Sequence, residues 1–238
     1  MAQIGNGYGS EWHMLRFLGY HRQYLIHKIL SEVPAFQNRD FRWIDQNFST
    51  KNELHSQDCE HKDIEIYYDK KLNEAWKAYW PQSGNSQNWD AIARITVEGK
   101  TEYVFVEAKA HTEELKSSCG AKSSESVEKI KIACKETQKY FELNHVNSAL
   151  WLQTYYQFAN RLAFLHFLLK NDVKAHLLFI YFYGDKNEKG NCPDTKAGWD
   201  ESLEKMYSHF GVSSESFKSD FNNRVHKVFV PTNPNVLD

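Results

Sequence analysis

The chain has 238 residues, 41% hydrophobic and 15% aromatic, which supplies enough apolar surface for one folded core and excludes a disordered chain. Its formal charge of −2 excludes a global positive field, so any binding to nucleic acid has to rest on a local patch. The four cysteines, Cys59, Cys119, Cys134 and Cys192, are scattered and form no CxxC pair, which argues against a disulfide framework and for a reducing compartment.

Residues 1–9 read as a Gly-rich lead-in without the basic and apolar pattern of a signal peptide. The longest apolar segment, 162–169, is too short to cross a bilayer, so a soluble cytoplasmic protein is expected. Ser10 is a plausible N-cap for a helix over 11–31, with Leu15, Leu18, Leu25 and Ile29 at helical spacing and Glu11 heading the same stripe. That carboxylate either complements the helix dipole or offers a ligand to a site. His13, His21 and His27 do not share one face and are expected to be solvated or locally bonded. The stretch 32–67 is irregular, with a strand or turn over 41–48; His55, Cys59 and His61 lack the second ligand pair a structural zinc needs. A helix over 68–80 points Leu72, Ala75, Trp76 and Tyr79 inward and stops at Pro81.

Residues 88–109 read as a β-hairpin with a tight turn at Gly99-Lys100. If Glu98 faces Thr101, opposed residues have numbers that sum to 199. Ala91, Ala93, Ile95 and Val97 then share a nearly continuous apolar face with Ala108, Val106, Val104 and Glu102. The other face ends in three ionisable groups: Asp90 opposite Lys109, and Glu107 as a diagonal neighbour at roughly 7–8 Å. Charges on a buried strand are costly unless they are paired or bind a metal. Two such carboxylates can hold a divalent ion, and the lysine can orient a water or neutralise a developing anion. The plainer reading is a cross-strand ion pair between Asp90 and Lys109.

Beyond Lys109, residues 111–125 look like a mobile polar loop, where Lys116 and Lys122 could meet phosphates. A helix over 126–141 carries Val127, Ile130, Cys134, Thr137 and Phe141 inward and Lys129, Lys131, Lys135 and Lys139 outward. The helix over 147–170 is apolar around more than half its circumference, interrupted by Gln157 and Arg161 at i and i+4. These two serve either a helix–sheet hydrogen-bond network or a phosphate contact. A central strand over 173–183, a loop over 184–196, a helix over 198–211 and a strand over 225–230 complete the chain. The class is α/β, with a central mixed β-sheet flanked by helices, as a single domain with loop insertions at about 32–67 and 184–197.

Asp90 followed by a strand and then Val106-Glu107-Ala108-Lys109 resembles the active-site motif of the PD-(D/E)xK, or restriction-endonuclease-like, nuclease superfamily. Trp89 stands where the nominal motif has proline. The segments 9–13 and 156–161 are similar to uncharacterised bacterial members. The resemblance implies a restriction-endonuclease-like core and metal-dependent hydrolysis of nucleic acid, DNA rather than RNA. Asp90 and Glu107 would bind Mg²⁺ or Mn²⁺, with Glu11 and the Ala108 backbone carbonyl as further ligands, and Lys109 would position the attacking water. Glu11, Gln157 and Arg161 are the accessory candidates, and Lys116, Lys122, Lys131 and Lys135 the candidate nucleic-acid contacts. A homodimer is the usual assembly where two strands must be cut. The alternative is a catalytically inactive binding or structural module on the same fold.

Overall fold

A computed structural model describes residues 8–45, 61–62, 69–82, 87–143, 147–186 and 192–235. The readings at His55, Cys59 and residues 46–48, and parts of both expected insertions, fall outside these residues. The helices are α1 (Ser10–Gly19), α2 (Arg22–Glu32), α3 (Lys70–Tyr79), α4 (Ser124–Tyr140), α5 (Tyr156–Lys170), α6 (Asp200–His209) and the short α7 (Phe217–Asp220). The strands are β1 (Asp40–Ile44), β2 (His61–Lys62), β3 (Asn88–Trp89), β4 (Ala91–Val97), β5 (Lys100–Lys109), β6 (Ala175–Tyr183) and β7 (Val225–Pro231). Five of them form one mixed sheet in the order β1-β4-β5-β6-β7. β1, β4 and β5 run antiparallel, whereas β6 and β7 are parallel to β5. The class expected from the sequence is therefore observed. β1 lies inside the stretch read as an insertion, yet it is the edge strand of this sheet.

Alternation along the strands sorts the side chains into two cores. Ala91, Ala93, Ile95, Val104, Val106 and Ala108 pack with Met14, Phe17, Leu25 and Ile29 of α1 and α2. Ile92, Phe105, Leu177 and Phe179 pack on the other side with Trp76, Leu162, Phe164 and Met206. β6 is buried along its whole length, which is why it carries an apolar run from Leu177 to Tyr183 rather than an alternation.

The hairpin turns one residue earlier than its sequence suggests. Glu98 and Gly99 take φ values of 50° and 76°, as a two-residue turn with a right-handed strand twist requires, and Val97 pairs with Lys100. Opposed residues therefore sum to 197, a slip of two from the expected register. An even slip keeps every side chain on its face. The two expected cores survive, but Asp90 moves down to the level of Glu107 and no longer stands opposite Lys109.

Two expected helices are each broken. The first divides at Tyr20-His21 into α1 and α2, and the buried stripe of α1 is His13, Met14 and Phe17, leaving Glu11 exposed. Ser10 is the first residue of α1 and not its cap, which is Gly9. In the second, residues 148–152 form a 3₁₀ turn, Thr154 adopts φ 50°, and α5 starts only at Tyr156.

Several charged and imidazole groups inside the two layers are paired. At the far end of β5, Glu102 sits on the apolar face and accepts from His176 Nε2 at 2.8 Å and Arg224 Nη1 at 2.6 Å. His226 Nε2 lies 2.9 Å from His176 Nδ1, and Phe36 covers both imidazoles edge-on. His166 of α5 is buried beside Thr137, with Nδ1 3.2 Å from its Oγ1, and stacks on Tyr140. Burial, assisted by the Lys170 charge, pushes the His166 imidazole down to about 4. The unfolded chain therefore takes up a proton that the folded chain refuses, and stability is lost as pH falls from about 6.5 towards 4. Replacing His166→Leu should flatten the decline of the thermal midpoint between pH 7 and pH 5. His13 and His176, also held down by burial, keep the remaining slope.

Candidate functional site

The end of β5 projects Glu107 and Lys109, two residues apart, to the same side of the sheet under α5. Glu107 is only 4% exposed. Its Oε1 accepts from Lys109 Nζ at 2.6 Å. Its Oε2 accepts from Arg161 Nε at 2.8 Å, with Nη2 of the same guanidinium at 2.7 Å. Burial pushes the Glu107 carboxyl up, but the Arg161 and Lys109 charges outweigh it and hold the group below the usual carboxylate range. Glu107 is therefore an anion in the interior, kept so by two cations.

Each cation is fixed in turn. Lys109 Nζ also donates to Gln157 Oε1 at 2.8 Å. Arg161 Nη2 donates to the Asn88 carbonyl at 2.7 Å and Nη1 to Asn160 Oδ1 at 3.1 Å, while its Cζ lies 4.5 Å from the centre of the Trp89 ring. Gln157 and Arg161 thus occupy the i and i+4 positions of α5 that face this strand end, and both serve the helix–sheet network. Asp90 is anchored from below, where the Ala108 N–H donates to its Oδ2 at 2.6 Å. The backbone between Glu107 and Lys109 thereby holds the second carboxylate beside the first. This bond replaces the expected pairing of Asp90 across from Lys109.

These residues line one cleft of about 710 Å³. Asp90, Glu107, Lys109, Gln157 and Arg161 all face it, and Ser10 and Glu11 at the start of α1 close one side. Ala108 is fully buried and is not among the lining residues. Lys116 is exposed and paired with Glu113 at 2.9 Å. Lys122, Lys131 and Lys135 are exposed, and none of these four lysines lines the cleft. Among the described residues, no group of three or more His, Cys, Asp and Glu side chains is arranged to hold a metal ion. Asp90 and Glu107 provide two carboxylates, which suits a hard ion that keeps several waters, as Mg²⁺ does. It does not make a closed protein cage.

No family model, curated protein or solved structure matches this chain. The reading of the cleft therefore rests on its own residues. Among the described residues, no helix is long and apolar enough to cross a membrane.

The expected mobile loop is tied down and builds a wall. Ser117 N donates to the Thr154 carbonyl at 2.6 Å and Cys119 N to that of Leu152 at 2.9 Å. Tyr156 N donates to the Ser117 carbonyl, and Gln157 N to Ser117 Oγ at 2.7 Å, so the loop caps the start of α5. Ser117, Trp80 and the Asn88 carbonyl were not singled out from the sequence, and Tyr156 and Asn160 entered only as part of the segment 156–161. Trp89, in the place of the motif's proline, also marked this region, and its ring supports the guanidinium.

Removing one partner of a buried charge leaves the other uncompensated. Arg161→Met should destabilise the fold by about 3–5 kcal/mol, measured by urea unfolding. Combining it with Glu107→Gln should cost less than the two single losses added together, because the stranded charge is then gone.

Proposed function

We propose that this protein is a metal-dependent phosphodiesterase acting on nucleic acid, with a restriction-endonuclease-like core, and that DNA is its substrate. The observation that carries the reading is the meeting of Asp90, Glu107 and Lys109 in one cleft. The two carboxylates stand at one level of the sheet, and a buried lysine lies two residues along the strand. The resemblance to the PD-(D/E)xK motif supports the same assignment. Asp90 and Glu107 would hold Mg²⁺ or Mn²⁺, and Glu11, exposed at the rim of the same cleft, is placed to add a water-bridged acid. An ion there supplies Lewis-acid polarisation of a phosphoryl oxygen and a more acidic bound water.

The chain's own groups have separate tasks. Lys109 spends one ammonium hydrogen on Glu107 and one on Gln157. Its third is free by count to orient a water or a non-bridging phosphate oxygen. Gln157 keeps that ammonium aimed into the cleft. Arg161 has most of its donors committed to Glu107, Asn88 and Asn160, so it positions the acid and leaves phosphate contact to Lys109. Charge developing on the phosphorane would then meet a preorganised, largely buried lysine.

A second reading, an inactive binding module on this fold, is favoured by one observation: both Glu107 oxygens are already met by cations. Under it, the carboxylate and its partners hold α5 to the sheet and do nothing more. The readings part in one assay. Supercoiled plasmid and single-stranded DNA are incubated with Mg²⁺ or Mn²⁺ and wild-type, Asp90→Ala or Lys109→Ala protein, each checked for folding by circular dichroism. The nuclease reading expects cleavage by the wild type and a loss of at least about a hundredfold in each variant. Cleavage equal in all three, or none in any, contradicts it.

A further inference from the structure

We infer that the cleft accepts a single strand of nucleic acid, about one or two nucleotides at a time, and excludes the backbone of an intact duplex; this rests on the phosphodiesterase reading and names its substrate. The first ground is depth. Glu107 and Lys109 are 4% and 9% exposed, so a scissile phosphate has to descend to them. The start of α1, the Trp80-Pro81 turn after α3, the 117–121 loop and the first turns of α5 stand around that floor. A volume of about 710 Å³ lies in the range that encloses a drug-sized molecule, which is the scale of a nucleotide and not of a double helix.

The second ground is charge. Duplex affinity comes from neutralising many phosphates with Lys and Arg. The cations among the cleft's described lining residues are Lys109 and Arg161, and both are bonded to Glu107. The chain as a whole carries −2 and adds no attracting field. Single-strand binding draws instead on aromatic surfaces, because every base has a face to stack. Tyr156 is half-buried at the cleft wall and offers such a ring there. Tyr156 follows directly on the Tyr155 bridge to Ser117, so the ring is carried on a fixed wall.

The test uses a fluorescein-labelled oligodeoxynucleotide of mixed sequence, single-stranded or annealed as a blunt duplex. Binding is read by anisotropy with and without Ca²⁺, and cleavage is followed separately with Mn²⁺. The single strand should bind at least about tenfold tighter than the duplex. Tyr156→Ala should weaken single-strand binding about tenfold, whereas Tyr156→Phe, which keeps the ring, should retain it. Equal or tighter duplex binding overturns the inference, and so does failure to bind either form. A single-strand preference that Tyr156→Ala leaves intact removes the cleft as its seat. Cleavage of duplex and single strand at equal rates sinks the inference while sustaining the nuclease reading. Single-strand binding without cleavage in Mn²⁺ does the reverse.

Discussion

A carboxylate that is 4% exposed cannot remain charged without compensation, and the arrangement around the end of β5 follows from that constraint. Glu107 requires two cations, Lys109 from its own strand and Arg161 from α5. Arg161 then ties α5 to β3 through the Asn88 carbonyl and lies against Trp89, so the segment leading into Asp90 is registered to the same guanidinium. Lys109 draws in Gln157, whose backbone is held by Ser117, and Ser117 fixes the loop that walls the cleft. A network of this kind contributes little net stability, since desolvation offsets most of the attraction. What it contributes is geometry: two acids and a lysine held at a set separation.

The sheet solves the same problem twice. Its interior positions are apolar on both sides, and its polar side chains gather at the two ends of the central strands. At one end Glu102 is balanced by His176 and Arg224, and its carboxyl is held down at about 2, first by the His176 hydrogen bond. At the other end Glu107 is balanced by Lys109 and Arg161. The difference between them is access. Phe36 packs edge-on against both histidines beside a cleft of about 240 Å³, whereas a cleft of about 710 Å³ opens over Glu107. The proposed chemistry is accordingly placed at the second end.

The sequence made the faces of the hairpin legible because side-chain parity survives an even slip of register. It did not make the pairing itself legible. A non-glycine residue at positive φ, Glu98, starts the turn, and nothing in its type announces that. The distinction mattered for Asp90, which depends on the Ala108 N–H and stands beside Glu107 rather than across from Lys109. The roles of Gln157 and Arg161 were open between a packing network and a phosphate contact, since helical spacing shows that two residues share a face and not what they meet. Glu11 reached the cleft although its expected stripe was displaced by one position, because the helix start and not its buried face brings it there. Ser117 carried no signal, and Tyr156 was marked only as part of the segment 156–161: a Ser in a polar loop and a Tyr on an apolar helix gain meaning only when the loop is laid on the helix.

Asp90 and Glu107 are proposed together to form a site for a divalent cation. Isothermal titration calorimetry of the wild-type chain with Mn²⁺ tests it without reliance on any substrate. A saturable binding isotherm is expected, abolished in Asp90→Asn protein that melts at the wild-type temperature. Absence of binding at millimolar Mn²⁺, or an isotherm unchanged by Asp90→Asn, would contradict it and leave Glu107 as a structural ion-pair partner for Arg161 and Lys109.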